Sequence, residues 1–270
     1  MLSKCYVAVI TPFDENRNVD LDSFGKLVQY LRNSGVKGVV VGGTTGEGIV
    51  LSNEEKLVLY NYVNKNFVDM ELIGCYSSPS LHDFNPHIYR NCNKVLVSPQ
   101  YFIKPDFESV KYFFDTIIST LDKPVILYNN PSRFATDIRY MYDSLYKLHN
   151  VIGVKEAGQV QNTQKYIAWE WFVGNDDLVF DLQDSFSGII SALANVLPTY
   201  WNTLDTNMQK VWLGACKLVF SVPSPLLIKY YLYRLGIIKS YATRYALYST
   251  QLEEYFAVLM ELIGKSNANQ

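Results

Sequence analysis

The sequence predicts a single (β/α)8 TIM barrel, of class α/β, with a small helical appendage at the C-terminal end. Three observations carry this. Short apolar runs rich in Val and Ile recur through the first two hundred residues; segments with helical spacing lie between them; and no Pro- or Ser-rich linker interrupts the alternation. A doubly wound sheet is the structural alternative. Closure is preferred because eight strands around a cylinder leave no sheet edge unpaired.

The candidate strands lie at residues 6–10, 38–41, 71–75, 94–97, 125–128, 151–154, 171–173 and 188–193. Each is too short for a helix. Most are continuously apolar, as strands buried on both faces are. After Asp20, the residues Leu21, Phe24, Leu27, Val28 and Leu31 mark one helical face, and Gly35 stands where a helix C-terminus wants glycine. Ser52 with Glu55 is a capping-box pattern for the next helix. Asp106 opens another, carrying Val110, Phe113, Phe114 and Ile117, and Asp137 a further one with Met141, Leu145 and Leu148. Beyond Pro198, residues 207–220, 225–235 and 242–263 have helical periodicity and no good strand. Only the first is needed to complete the eighth unit. The chain is therefore divided into a catalytic barrel at 1–222 and a helical extension at 223–270.

Composition narrows the partners. With 24 Lys+Arg against 26 Asp+Glu the formal charge is -2, so no basic field is available for nucleic acid or an anionic membrane. A hydrophobic share of 49% supports a large core and excludes a disordered chain. The 21 tyrosines fit either a Tyr-rich core or subunit contacts. Cys5, Cys75, Cys92 and Cys216 form no CxxC pair and read as buried thiols. The opening residues lack signal-peptide anatomy and no stretch approaches 18 uninterrupted apolar residues, so a soluble cytoplasmic protein is expected.

In a barrel of this type the C-terminal ends of the strands carry the chemistry. The second strand ends in Gly42-Gly43-Thr44-Thr45-Gly46-Glu47, where glycine-rich backbone beside hydroxyls suits an anion. A turn needing glycines for its dihedrals alone would look the same, and the lysine of a P-loop is missing. The fifth ends in Tyr128-Asn129-Asn130-Pro131-Ser132-Arg133. Tyr128 fits a proton donor or acceptor, or a core tyrosine; Arg133 fits a fork for a carboxylate, or a surface charge. The sixth supplies the strongest single signal, Val151-Ile152-Gly153-Val154-Lys155-Glu156. A lysine closing an apolar central strand is desolvated, which favours the neutral amine and Schiff-base chemistry. A lysine neutralised by Glu156, or turned outward, is the competing reading. His82, His87 and His149 have no metal-ligand spacing, and the paired acids Asp176-Asp177 and Glu253-Glu254 read as solvated faces. No metal and no organic cofactor is called for.

Taken together and in order, these segments resemble the dihydrodipicolinate synthase / N-acetylneuraminate lyase family of Schiff-base barrels. The likeness also takes in Val9-Ile10-Thr11-Pro12-Phe13, Gly174-Asn175-Asp176 and the run from Gly188 to Asn195. It implies that Lys155 forms an imine with pyruvate and that Tyr128 moves protons as general acid and base. Thr44 and Thr45 would hold the pyruvate carboxylate beside Gly43, with Thr45 also in the proton relay. Gly174 and Ile190 would line the pyruvate pocket with backbone. Arg133 would bind the carboxylate of aspartate semialdehyde, which favours the synthase over a lyase acting on a sialic acid or a 2-keto-3-deoxy sugar acid. A non-catalytic barrel serving as a binding subunit is the third reading, and the retained Lys155, Tyr128, Thr44 and Thr45 argue against it.

The family pattern also implies a homodimer or homotetramer, in which a tyrosine crosses into the neighbouring subunit. Counting from Pro99 assigns that role to Tyr101; counting back from Pro105 puts Phe102 there, which carries no proton. The reading adopted is Tyr101. Phe134-Ala135 stands where a small residue and glycine are common, which enlarges a side chain beside the second-substrate pocket. Around Asn53, Lys56 and Pro79 the pattern of lysine-inhibited members is poorly matched, so feedback by lysine is expected to be weak or absent.

Overall fold

Val- and Ile-rich runs that lack alternation have to bury both faces, and a closed parallel barrel does this for all of them at once. A computed structural model describes residues 2–159 and 163–267 of the chain. Eight parallel strands close in sequence order: β1 (Lys4–Ala8), β2 (Gly38–Val41), β3 (Glu71–Tyr76), β4 (Lys94–Val97), β5 (Val125–Asn129), β6 (Val151–Glu156), β7 (Glu170–Val173) and β8 (Gly188–Ser191). The predicted barrel is the observed one. Strand ends differ by a residue or two, and one difference matters: β6 runs on to Glu156, so Lys155 lies within the sheet, paired with Tyr128 on β5 and Phe172 on β7.

The two-residue period of each strand divides the core in two. Inside the cylinder pack Tyr6, Val40, Ile73, Leu96, Ile126 and Phe172. Outside, Val7, Val39, Leu72 and Val95 meet the helices. The N-terminal end of the barrel is closed by charge as well as by apolar packing. The Tyr6 hydroxyl donates to Glu71 at 2.9 Å, Lys94 and Lys37 pair with the same carboxylate, and Lys4 pairs with Glu170.

Helix α1 (Leu21–Asn33) starts where the Asp20 carboxylate accepts the Ser23 N–H, and the chain leaves it through Gly35 at φ +77°. Helix α2 (Asn53–Asn66) has both halves of the Ser52–Glu55 capping box, and α3 (Phe107–Thr120) is capped by Asp106. The remaining connections are shorter. After β5 comes the single turn α4 (Pro131–Phe134), then a 3-10 turn at Ile138–Met141 and α5 (Tyr142–Leu145). The continuous helix expected after Asp137 opens instead as a 3-10 turn before the single α-turn of α5, with the otherwise unpaired Ile138 N–H of its first turn donating to the Asn129 side chain of β5. After β7 there is one α-turn, α6 (Val179–Leu182). Helices α7 (Thr206–Val219), α8 (Leu226–Arg234) and α9 (Leu252–Asn267) complete the chain.

The helix expected over 242–263 begins only at Leu252. Upstream of it, the Arg244 and Tyr245 N–H groups are spent on the Glu47 carboxylate, and Ala246 takes φ +52°, which no right-handed helix allows. All four cysteines are free and buried. Among the described residues, no helix is long and apolar enough to cross a membrane, and no group of three His, Cys, Asp or Glu could hold a metal.

Candidate active site

At the C-terminal end of the strands lies a cavity of about 540 Å3. Its floor and walls bring together Gly43, Thr44, Thr45, Tyr128, Lys155 and Gly174, and Arg133 stands on its rim. These come from four strand ends and from the turn after β5, so chain closure assembles what the sequence scatters over 130 positions.

The turn after β2 is held very tightly. Gly42 has φ +76°, and a Cβ on Gly48 would sit 1.6 Å from the Gly42 carbonyl oxygen, so both positions require glycine. The Glu47 N–H donates to the Thr44 carbonyl at 3.1 Å, and the Thr11 hydroxyl donates to that of Gly46 at 2.7 Å. Thr45 is buried and Thr44 half-buried, both against the cavity. Glu47 itself points away from it. Fully buried, its carboxylate accepts from Lys229 Nζ at 2.6 Å and from the Arg244 and Tyr245 N–H groups at 2.7 and 3.2 Å. Burial lowers Lys229 to about 8, although Glu47 pulls the other way.

Strand alternation separates Lys155 from Glu156. Lys155 turns inward, 7% exposed, with Nζ 4.5 Å from the centroid of the Tyr128 ring. Among the described residues it has no ion-pair partner. Glu156 turns outward and accepts from Tyr142 Oη at 2.7 Å, Asn129 Nδ2 at 2.8 Å and the Gly158 N–H at 2.7 Å. Burial raises the Glu156 carboxyl above its ordinary range. The neighbouring acid that competed for the lysine in the sequence is therefore engaged elsewhere.

Arg133 is exposed on α4, and among the described residues its guanidinium makes no hydrogen bond or ion pair. By contrast Arg139 is bound to Asp137. Phe134, the larger side chain expected beside the second-substrate pocket, is not among the residues that line the cavity. It is buried edge-on against Tyr128, ring centroids 5.2 Å apart, and contributes to packing instead. Tyr101 lies behind it, 6.4 Å from the Phe134 ring, and is not part of the cavity wall. Phe102 is 90% exposed with φ +74°. Ile190 is buried in the barrel interior below the cavity, and Ala192, two residues on, is the one that lines it.

Three lining residues escape a reading by sequence. Asp176 was expected on a solvated face, but it is 4% exposed and lines the cavity. It accepts from Ser191 Oγ and from the Ala192 and Leu193 N–H groups at 3.1 and 3.2 Å, while burial raises its carboxyl. Its place at the end of β7 was the available signal. Asn130 is buried against the Tyr128 hydroxyl. Cys216, on α7, brings a thiol to the wall that burial, and then Asp176, pushes up.

Comparison with known proteins agrees with this geometry. The model of the dihydrodipicolinate synthetase family matches residues 1–263. A 4-hydroxy-tetrahydrodipicolinate synthase of Endomicrobium trichonymphae is 34% identical over 78% of this chain and 76% of its own. One from Listeria innocua is 31% identical over 87% and 89%. Among solved structures, a dihydrodipicolinate synthase from Bacillus anthracis superposes with a TM-score of 0.87 at 25% identity, over 98% of this chain and 99% of that one. The chain belongs to the dihydrodipicolinate synthetase family, and so to a family of lyase-type enzymes.

Proposed function

We propose that the chain condenses pyruvate with L-aspartate 4-semialdehyde to give 4-hydroxy-tetrahydrodipicolinate, through an imine on Lys155. The observation that carries this is the meeting, in one cavity, of a buried lysine that forms no ion pair among the described residues, a phenol against it and a glycine-threonine turn fit for a carboxylate.

In this scheme Gly43, Thr44 and Thr45 hold the pyruvate carboxylate with backbone N–H and hydroxyl groups. The Lys155 amine attacks the keto carbon, and water leaves once its oxygen has been protonated by Tyr128, relayed through Thr45. The resulting iminium draws electrons from the adjacent methyl group, which loses a proton and becomes an enamine. Its carbon attacks the aldehyde carbon of the second substrate, and the aldehyde oxygen takes up a proton. The amino group of that substrate then attacks the iminium carbon, closes the ring and releases Lys155. Gly174 lines the pyruvate side; the free Arg133 fork meets the carboxylate of the semialdehyde. No metal or organic cofactor enters, because the imine itself is the electron sink. The family resemblance extends the proposal to a homodimer or homotetramer, which sedimentation would register as a mass at least twice that of the chain.

Borohydride added with pyruvate tests the first half: a mass increase on Lys155, absent from Lys155→Ala, is the expected result, and its absence sinks the reading. Arg133→Ala tests the second half. It should leave pyruvate trapping intact and cut kcat/KM for the semialdehyde by about 10²-fold or more, since a bound carboxylate loses its charged partner. Asn175 and Asp177 on the cavity wall also suit hydroxyl groups, which favours a lyase acting on a sugar acid as the second reading. Cleavage of such an acid unaffected by loss of Arg133 would select it.

A further inference from the structure

The Tyr128 hydroxyl is not free to orient as it likes. The Asn130 side chain, 5% exposed and on the cavity wall, lies with Nδ2 3.1 Å from the Tyr128 Oη. Its other end fixes which atom faces the phenol. Asn130 Oδ1 accepts the Arg133 N–H at 3.2 Å and the Ser132 hydroxyl at 2.7 Å, as cap of α4. A backbone N–H can only donate, so the amide oxygen must face it and the NH2 group must face the phenol. The phenol oxygen therefore accepts a hydrogen bond from Asn130, and its own O–H is left to donate away from Asn130, on the side where Lys155 and Thr45 line the cavity.

We propose that Asn130 is a positioning residue that holds Tyr128 as a proton donor toward the departing oxygen of the keto group and ties that phenol to the turn presenting Arg133. An amide donating to a phenol oxygen does two things. It fixes the direction of the O–H, and it stabilises the negative charge that grows on the oxygen as the proton leaves, so transfer is eased in the transition state more than in the ground state. The same amide oxygen sets the first turn of α4. The inference rests on the imine chemistry proposed for Lys155, but its effect on the phenol has a readout of its own.

Asn130→Asp is the decisive variant. A carboxylate keeps an oxygen for the Arg133 N–H and serves well as a helix cap, so α4 is preserved. Its second oxygen replaces the NH2 group, and the hydrogen bond reverses: the phenol now donates to Asp and is turned from the cavity. Asn130→Leu, neutral and similar in size, removes the donor without adding charge. Both variants should lower kcat by about tenfold or more with the pyruvate KM changed less than threefold, a pattern specific to transition-state interactions. Wild-type kcat in Asn130→Asp would overturn the proposal, as would a loss seen in Asn130→Asp and not in Asn130→Leu, which would mark a charge effect alone.

The independent readout is the 13Cζ NMR signal of Tyr128, assigned by its loss in Tyr128→Phe. The charges facing this cavity are Lys155 on β6, Arg133 on α4, Asp176 and Asp177 after β7, and Lys217 on α7, all unchanged in the variants. In Asn130→Asp the phenol should keep its proton to higher pH than in the wild type; an identical titration would refute the hydrogen bond. Should wild-type protein fail to trap pyruvate while the NMR difference appears, the proposed reaction falls and the role of Asn130 on the phenol stands.

Discussion

Lysine and glutamate side by side at the end of a strand look like a neutralised pair, and only the strand period separates them. Because β6 continues through Glu156, Lys155 and Glu156 fall on opposite faces, and each acquires a different set of neighbours. The outward carboxylate has three donors; the inward lysine nitrogen has an aromatic face. The identity of Lys155, Tyr128 and Thr45 as candidates was legible because each stands at the end of an apolar run. Asp176 was not: an adjacent pair of acids reads the same whether solvated or folded under the Ser191–Leu193 turn, and that turn is 15 residues away in the chain. Tyr128→Phe keeps the ring beside Lys155 and removes only the proton. It should slow borohydride-trappable imine formation by about 10²-fold or more with little change in pyruvate KM. An unchanged trapping rate, followed by mass spectrometry over time, would remove Tyr128 from the reaction.

At the level of elements, the strands were legible down to a residue or two, as were the caps of α1, α2 and α3, because apolar runs and cap residues are local signals. The start of α9 was not, since residues 244 and 245 are diverted by Glu47, almost two hundred positions earlier. Two ion networks tie elements together, and each carries a prediction. At the foot of the barrel, burial alone would raise Glu71, but hydrogen bonds from Lys94, Lys37 and Tyr6 outweigh it and lower the carboxyl to about 2. A carboxylate lowered by folding contributes stability in full above its unfolded value and loses it as pH falls toward 2. Wild-type protein should therefore lose stability between about pH 4.5 and 2, and Glu71→Gln should be less stable at pH 7 with a flatter dependence across that window, read by urea unfolding at a series of pH values. Equal pH dependence in the two proteins would show that the network stores nothing. At the mouth, Lys229→Met strands the Glu47 carboxylate with only two backbone donors. Removing one partner of a buried pair typically costs about 3–5 kcal/mol, and adding Glu47→Gln should recover part of it. A single variant as stable as the wild type would contradict this.

For the whole molecule, the boundary drawn at residue 222 separates a barrel from a helical extension in the sequence, yet the extension supplies interactions that the barrel's own turn needs. Lys229 on α8 reaches Glu47, with its ammonium 4.1 Å from the Phe13 ring centroid. Arg244 pairs with Glu55 on α2, stacks 4.6 Å above that same ring and donates to the Arg17 and Val50 carbonyls. Helix α9 packs on α7, which in turn carries Leu213, Cys216 and Lys217 to the cavity. A carboxylate buried in one part and neutralised from the other couples the two thermodynamically: unfolding of residues 223–270 alone would leave Glu47 charged in an apolar setting, a penalty of several kcal/mol. Calorimetry should accordingly record one transition, with van't Hoff and calorimetric enthalpies equal. Arg244→Ala should lower its midpoint and, by loosening the strap over the glycine-threonine turn, raise the pyruvate KM more than it lowers kcat. Two resolved transitions, or an Arg244→Ala variant whose pyruvate KM is unmoved while its midpoint falls, would show that the extension stabilises the barrel without shaping the site.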